Sequence, residues 1–317
     1  MSHARSRRLF LRDLAAATLG GGLLAACARA SANASANAIR PTADRVGVQL
    51  FTVRDRMQTD FEGTLAQVAQ AGYREVEFFS YNGRTPEQVK AALDRAGLTA
   101  PSTHAALRPG PDLEKQLAGY QLMGHRYAAA GGPPPAGMRP GGQRPPMPPP
   151  SVDGVRRTIE QYNEVAAAAK PYGIKVLVHN HTMEFQPLPD GRTPYDVLLA
   201  ELDPERVVLE LDIGWATVAG QRALDLFAKH PGRFPLWHVK DMAGLAALAG
   251  MTSQAERQRA AKIVPVGQGE IDYRPIFAQA ATAGLQHFFV EQDTAPDSGD
   301  SIAALRASIE GVRRALA

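Results

Sequence analysis

The sequence contains a single cysteine, Cys27, in 317 residues. Everything after it is outside disulfide and thiol chemistry, so burial and hydrogen bonding alone must hold the folded body. Charge of one sign is also lacking, with 35 Lys and Arg against 32 Asp and Glu. Arg5, Arg7, Arg8 and Arg12 with Asp13 carry the whole formal net charge of +3, and the chain beyond them is near neutral. That removes the electrostatic basis for binding a polyanion, and no nucleic-acid partner is expected. The apolar stretch Leu14 to Ala26 is too short for a stable membrane span.

What the N-terminus does contain reads as an export signal. Ser6-Arg7-Arg8-Leu9-Phe10-Leu11-Arg12 matches the twin-arginine pattern and leads into that apolar run. Leu24-Ala25-Ala26-Cys27 has the form of a lipobox, whose cysteine would receive lipid; cleavage in the Ala-Ser-Ala stretch Ala30 to Ala32 would instead discard it. Residues 1–27 are thus expected to be a signal and residues 28–44, rich in Ala, Ser and Asn, a flexible tether. The expected location is the periplasm, with membrane contact only through the signal or a lipid on Cys27.

From residue 45 to 317 the pattern is a repeated alternation of short apolar runs and helical segments. The runs are Val46–Val53, Tyr73–Phe79, Leu98–Leu107, His125–Ala130, Ile174–His181, Val207–Trp215, Phe234–Lys240 and His287–Glu291. Phe61, Leu65, Val68 and Ala69 keep helical spacing after the first run, and Gly72 closes that helix; Gly97, Gly173 and Gly284 repeat the device. Eight such units without a domain-sized linker predict an α/β fold of one domain, a (β/α)8 TIM barrel. Residues 131–150 hold nine prolines and break the rhythm, so they are expected to be an insertion on the C-terminal face, either a surface excursion or a flap. A second excursion, Ala243 to Lys262, reads as helical.

A barrel points polar residues at strand ends into one mouth. The fifth run ends with His179, His181 and Glu184, three potential ligands. The sixth carries Glu210 and Asp212, which alternation places on one side; the seventh carries His238, Lys240 and Asp241; the eighth carries Glu291 and Asp293. Each taken alone is weak, since a lone His such as His238 often hydrogen-bonds in a core and an Asp such as Asp212 often caps a helix. Carboxylates and an imidazole on successive strand ends would be costly to bury unpaired, which implies a cation or a compensating network; as a ligand set they suit a divalent cation such as Mn²⁺, Mg²⁺, Co²⁺ or Zn²⁺. His104 and Glu77, ending the third and second runs, are candidates to hydrogen-bond a bound substrate, as are His181 and Trp215, the latter by ring stacking. Gly267-Gln268-Gly269 has the form of a small anion nest.

Five segments in this order, His179 to Phe185, Leu211 to Trp215, His238 to Asp241, Val264 to Asp272 and Val290 to Asp293, resemble those of the xylose isomerase-like barrel superfamily, the sugar phosphate isomerases/epimerases. The superfamily also holds inosose dehydratases and lyases of 3-keto-glycosides. The resemblance covers roughly Arg45 to Ala317. It implies one divalent cation held by Glu184, Asp212, His238 and Glu291. Many members place the first Glu three residues before the Asn, where this chain has Leu177, so His179 or His181 could replace Glu184. With it goes proton transfer next to a carbonyl through a metal-stabilised enediolate, with Glu291 and Glu184 as candidate catalytic groups and Lys240 and His181 as alternatives. The expected activity is sugar isomerisation or epimerisation on an unphosphorylated sugar or keto-sugar, since export separates the protein from phosphorylated ones. Elimination from 3-keto-glycosides or inososes, and non-catalytic sugar binding by an exported lipoprotein, are the alternatives.

Overall fold

The structure, a computed structural model, describes residues 38–131 and 151–317. The expected signal with Cys27, most of the tether and all but the first residue of the proline-rich insertion lie outside the described residues. From Ile39 onward the chain lies against the barrel: Ile39 donates its N–H to the Leu285 carbonyl at 2.7 Å, and its side chain packs on the core.

Eight parallel strands close into a barrel. They are β1 (Gly47–Gln49), β2 (Glu75–Phe78), β3 (Thr99–Leu107), β4 (Tyr127–Ala130), β5 (Lys175–His179), β6 (Val207–Asp212), β7 (Leu236–Val239) and β10 (His287–Val290). Each pairs with its sequence neighbours, and β10 closes the ring on β1 through Gly47 opposite Phe289 and Val48 opposite Val290. Between β7 and β10 the antiparallel ribbon of β8 (Asp241–Ala243) and β9 (Lys262–Val264) brackets the second excursion. That excursion holds the short helices Leu245–Leu248 and Gln254–Ala260. Three-residue strands carry no readable periodicity, so only its helical part was expected.

The helices start and stop where local chemistry directs. Gly72, Gly97, Gly173 and Gly284 end them with φ between +66 and +108°, a region that costs L-residues a steric penalty and glycine none. Thr85 opens the helix Pro86–Ala96 with a reciprocal pair of side-chain and backbone hydrogen bonds to Gln88, and Thr193 does the same with Asp196 for Pro194–Glu201.

Strand alternation sorts residues between two cores. Outward-facing Val176, Val178, Leu209, Leu211, Trp237, Val239, Phe288 and Val290 pack under the helices in the main core. Inward-facing Leu177, Val208, Leu236 and Phe289 form a separate apolar layer inside the barrel. Gly47 makes room for it, since a Cβ there would meet Phe289 Cδ1 at 2.5 Å. Below this layer, His287 Nδ1 lies 2.6 Å from Glu75 Oε2, and its Nε2 meets Arg126. Above it, two residues further along each strand, the side chains become charged.

Candidate metal centre at the barrel mouth

Moving up by two residues from the apolar layer leads from Leu177 to His179, from Val208 to Glu210 and Asp212, from Leu236 to His238 and Lys240, and from Phe289 to Glu291 and Asp293. The pleat therefore delivers five carboxylates, counting Glu77 on β2, to one small volume. Glu77, Glu210, Asp212, His238 and Lys240 are all 0% exposed.

Donor atoms from His179, Asp212, His238 and Glu291 lie within 4.8 Å of one another, and a second overlapping group joins His104, His179, Glu210 and His238. Asp212, His238 and Glu291 are brought together as expected. Glu184 is in neither group. β5 ends at His179 and the chain turns into the short helix Met183–Phe185, where Glu184 Oε2 accepts the His181 N–H at 2.8 Å and stays partly exposed at the rim. His179, still on the strand, supplies the imidazole that completes the set, while Leu177 lies one layer lower in the apolar floor.

Asp212 both caps a helix and faces the cluster. Its Oδ1 accepts the Trp215 N–H at 2.7 Å, opening the helix Ile213–Val218, while Oδ2 is buried without a hydrogen-bond partner. Asn180 fixes the strand end: its Oδ1 accepts the Asp212 N–H at 3.0 Å and its Nδ2 donates to the Asp212 carbonyl at 3.3 Å. Sequence reading passed over Asn180 because its partner is a backbone 32 residues away.

Lys240 Nζ lies 2.7 Å from Asp293 Oδ2, 2.9 Å from Glu291 Oε2 and 3.0 Å from Asp212 Oδ2. None of these contacts has hydrogen-bonding angles, so the ammonium is held by charge. Burial opposes its charge, but Asp212, Glu291 and Asp293 outweigh burial and raise its pKa far above the usual lysine value. The Tyr273 hydroxyl clasps its backbone, accepting from Lys240 N at 2.9 Å and donating to Lys240 O at 2.8 Å. Trp215 is buried, with Lys240 Nζ 5.0 Å from its ring centroid, so that face is already engaged by an ammonium. His181 is exposed at the rim, 4.9 Å from His179 between ring centroids.

The inner carboxylates share two histidines. Glu77 accepts from Gln49 Nε2 at 2.7 Å and Ser102 Oγ at 2.5 Å, and its Oε2 is 2.6 Å from His238 Nε2. Burial raises its pKa, but His104 and His238, with Ser102, outweigh burial and bring it to about 2. Glu210, 2.6 Å from His104 Nε2, is pushed up to about 7 by burial and by Glu77 beside it. His238 resists burial and is held well above the usual histidine value by Glu210, Glu291 and Glu77. His179 is driven well below it by burial and by His238 and His104. Burial raises Glu291, but Lys240 and His238 carry it well below the carboxylate range.

The anion nest exists and its occupant is internal. Asp241 Oδ2 accepts from Gly267 N at 2.8 Å and Gly269 N at 2.9 Å, and Oδ1 accepts from Met242 N at 2.9 Å and Ile271 N at 3.2 Å. Phe185, against Tyr195 with centroids 4.6 Å apart, is a core residue.

A closed parallel barrel with a carboxylate and imidazole cluster at the C-terminal ends of its strands defines a class of α/β barrel with its site on that face. The chain belongs to the xylose isomerase-like TIM barrel family, whose model matches residues 65–314. An inosose dehydratase from Geobacillus thermodenitrificans (strain NG80-2) is 30% identical over 144 residues, 43% of this chain and 47% of that protein, so the match spans about half of the relative's length. A sugar phosphate isomerase/epimerase structure from Parabacteroides distasonis ATCC 8503 superposes with a TM-score of 0.66 at 20% identity, covering 86% of this chain and 94% of that one. The IOLI protein, solved with a zinc atom, gives a TM-score of 0.62 at 12% identity over 86% of this chain and 98% of its own. At these identities the two structures show the fold.

Proposed function

We propose that the protein is a divalent-metal-dependent enzyme that moves a proton next to a carbonyl of an unphosphorylated sugar or keto-sugar, as an isomerase or epimerase. The observation that carries this reading is the convergence of four donor atoms, from His179, Asp212, His238 and Glu291, at the mouth of the barrel. The donor set fits a cation: Asp212 Oδ2 is buried without a hydrogen bond, met only by the charge of Lys240 at 3.0 Å, and mixed imidazole and carboxylate donors suit Zn²⁺ or Mn²⁺. The zinc in the similar IOLI structure supports it. A cation held there would supply positive charge for the oxyanion that develops when an adjacent C–H is broken.

The chain's own groups divide the remaining work. Lys240 stays an ammonium and balances Asp212, Glu291 and Asp293. Glu291, beside His238 and Lys240, is a weak base, so we place the proton carrier at His104 instead. That side chain is 23% exposed, and its Nε2 is engaged by Glu210, leaving Nδ1 for a ligand. Glu210 would steady the imidazolium as it forms. The choice of an unphosphorylated substrate gains support from the nest at Gly267–Gly269, whose N–H groups are spent on Asp241. It also agrees with export through the twin-arginine route and periplasmic residence, which we propose from Arg7-Arg8 and the run after them; cell fractionation of full-length protein and of an Arg7→Lys, Arg8→Lys form tests this.

Keto-sugars and glycosides offered in D₂O to protein loaded with Mn²⁺ or Zn²⁺ test the reaction. Deuterium entering substrate or its epimer without loss of a leaving group is expected. An unsaturated product would replace isomerisation by elimination, the reading favoured by the inosose dehydratase relative.

A further inference from the structure

His179 and His238 divide the cluster into an outer and an inner half. His238 turns Nδ1 toward Glu291 Oε2 at 2.8 Å and Asp212 Oδ2 at 3.9 Å, and Nε2 toward Glu77 Oε2 at 2.6 Å and Glu210 Oε2 at 3.4 Å. His179 turns Nε2 toward Asp212 Oδ2 at 3.9 Å and Nδ1 toward Glu210 Oε2 at 3.3 Å. Each ring therefore shows one nitrogen to the outer carboxylates and the other to the inner ones. A neutral imidazole has one lone pair and one N–H, so it cannot offer a lone pair to both halves.

The inner contacts decide which way the rings are set. Glu77 Oε2 stands 2.6 Å from His238 Nε2 and Glu291 Oε2 stands 2.8 Å from its Nδ1, and each separation needs a proton, because two lone pairs at that distance repel; only the outer proton can give way to a cation. Gln49 and Ser102 hold Glu77 in place, and both Glu77 and Glu210 are 0% exposed. Neither inner carboxylate opens on the mouth where substrate would enter. The outer half has the opposite need, since Asp212 Oδ2 and Glu291 Oε2 share the single charge of Lys240 and Asp212 Oδ2 accepts no hydrogen bond, so lone pairs turned that way add to a donor set for a cation.

We propose that Glu77 and Glu210 are positioning residues, Glu77 holding the N–H of His238 at Nε2 by a hydrogen bond and Glu210 favouring the N–H of His179 at Nδ1 by charge alone, 3.3 Å away without hydrogen-bonding angles, so that both lone pairs face the outer half and it takes one divalent ion. This rests on the metal-binding reading above and assigns Glu77 away from substrate. Carboxylates that hold the far N–H of a ligating imidazole fix its orientation and raise its basicity, and their loss costs roughly 10- to 100-fold in metal affinity. Glu210 also engages His104, so its loss reaches the mouth as well.

The test uses full-length wild type, Glu77→Gln and Glu210→Gln, each freed of metal and titrated with Zn²⁺ against a chromophoric chelator, with bound zinc counted by elemental analysis. One zinc per chain is expected in all three, with affinity about 10- to 100-fold weaker in each variant. Two zincs in wild type and one in Glu210→Gln would overturn the proposal, making Glu210 a ligand of an inner ion; so would variants that bind as tightly as wild type. Absence of zinc binding in wild type would instead defeat the metal reading itself, and this proposal with it. Because a variant could fail to fold, ¹⁵N-histidine NMR of zinc-loaded wild type gives an independent measure. Protonated Nε2 on His238 and protonated Nδ1 on His179 are expected, and the reverse tautomers would overturn the assignment.

Discussion

Replacing Lys240 by Met tests the electrostatics of the centre most directly. The methionine nearly conserves volume, so the main loss is an ammonium lying 2.7–3.0 Å from three carboxylates. Asp212 and Glu291 are buried there, and breaking a buried ion pair by removing one partner costs about 3–5 kcal/mol. For a domain of this size that corresponds to a fall in Tm of roughly 10 °C. The measurement is thermal unfolding of the chelator-treated protein at pH 8, where the orphaned carboxylates cannot easily take up protons. The same variant should gain more from metal than wild type does. In wild type the ammonium stands against Asp212 Oδ2 and Glu291 Oε2, two oxygens a cation would use, so removing it leaves the outer half more negative. Saturation at a hundred times Kd is worth about 2.7 kcal/mol, and the tighter binder reaches that at lower metal concentration. A metal-free variant within about 2 °C of wild type, or one whose Tm responds less to Zn²⁺ than wild type, would refute the reasoning.

Three further outcomes follow from the geometry. Relative to Glu210→Gln, metal-free wild type should lose stability as pH rises from about 4.5 through about 7, because the folded pKa of Glu210 is raised to about 7 and its contribution is present below the unfolded value and lost above the folded one. His104 and His238, also raised, act in the same direction; His179 and His125, the latter lowered to about 4 by burial, act against them, giving stability that is lost as pH falls below about 6.5, and Glu77, depressed to about 2, gives stability that is lost only as pH falls from about 4.5 toward 2. Calorimetry from pH 4 to 8 in chelator, compared with Glu210→Gln, checks this, and a wild-type Tm that climbs relative to the variant's toward pH 8 would contradict it. His179→Ala should lower zinc affinity while Glu184→Gln leaves it unchanged, since only His179 stands in the cluster; the opposite ranking in a zinc titration would restore Glu184 as the ligand. Gly269→Ala should destabilise the loop from Pro265 to Asp272 by about 1–3 kcal/mol, because a Cβ would lie 2.2 Å from Asp241 Oδ1 and force that carboxylate off its backbone donors. Faster proteolysis at that loop, with the rest of the barrel intact, is the readout.

The barrel was legible in the sequence because its determinants are local. An apolar run, a helical stripe and a glycine that tolerates positive φ each lie within a few residues, and Gly72, Gly97, Gly173 and Gly284 sit where that reading puts them. Asp212, His238 and Glu291 were legible as strand-end polar residues because alternation extends to the strand end, while their choice over Glu210 as ligands came from the resemblance. Alternation fails once the chain leaves the strand, which is why His179, His181 and Glu184 could not be ranked: the turn after His179 carries Glu184 out to the rim. Other features depend on partners far away in sequence. Asn180 pairs with the backbone of β6, Tyr273 clasps Lys240, and Glu75 meets His287 across the lower mouth, with 32, 33 and 212 residues between partners. No pattern within one segment carries such information. The Gly267–Gly269 nest was visible, but its occupant, Asp241, comes from another strand.

These long-range clamps make the charge density of the mouth tolerable. Buried carboxylates repel one another and would relax by moving strand ends apart or drawing in water. Here relaxation is blocked at several points. Asn180 ties Asp212 to β5, the Tyr273 hydroxyl brackets the Lys240 peptide, and Gly214 lets the following helix approach so closely that a Cβ would lie 2.7 Å from the Lys240 carbonyl. Beneath, Leu177, Val208, Leu236 and Phe289 fill the barrel and deny the charges a downward escape. What is left to the site is to gain positive charge, and it can do so by holding Lys240, by protonating His238 and Glu210, or by binding a cation. The first is built into the sequence and the second costs the lone pairs that would make a ligand. On the metal reading proposed above, a centre so constrained would be preorganised for the third, with the repulsion among its carboxylates acting as the drive for metal binding.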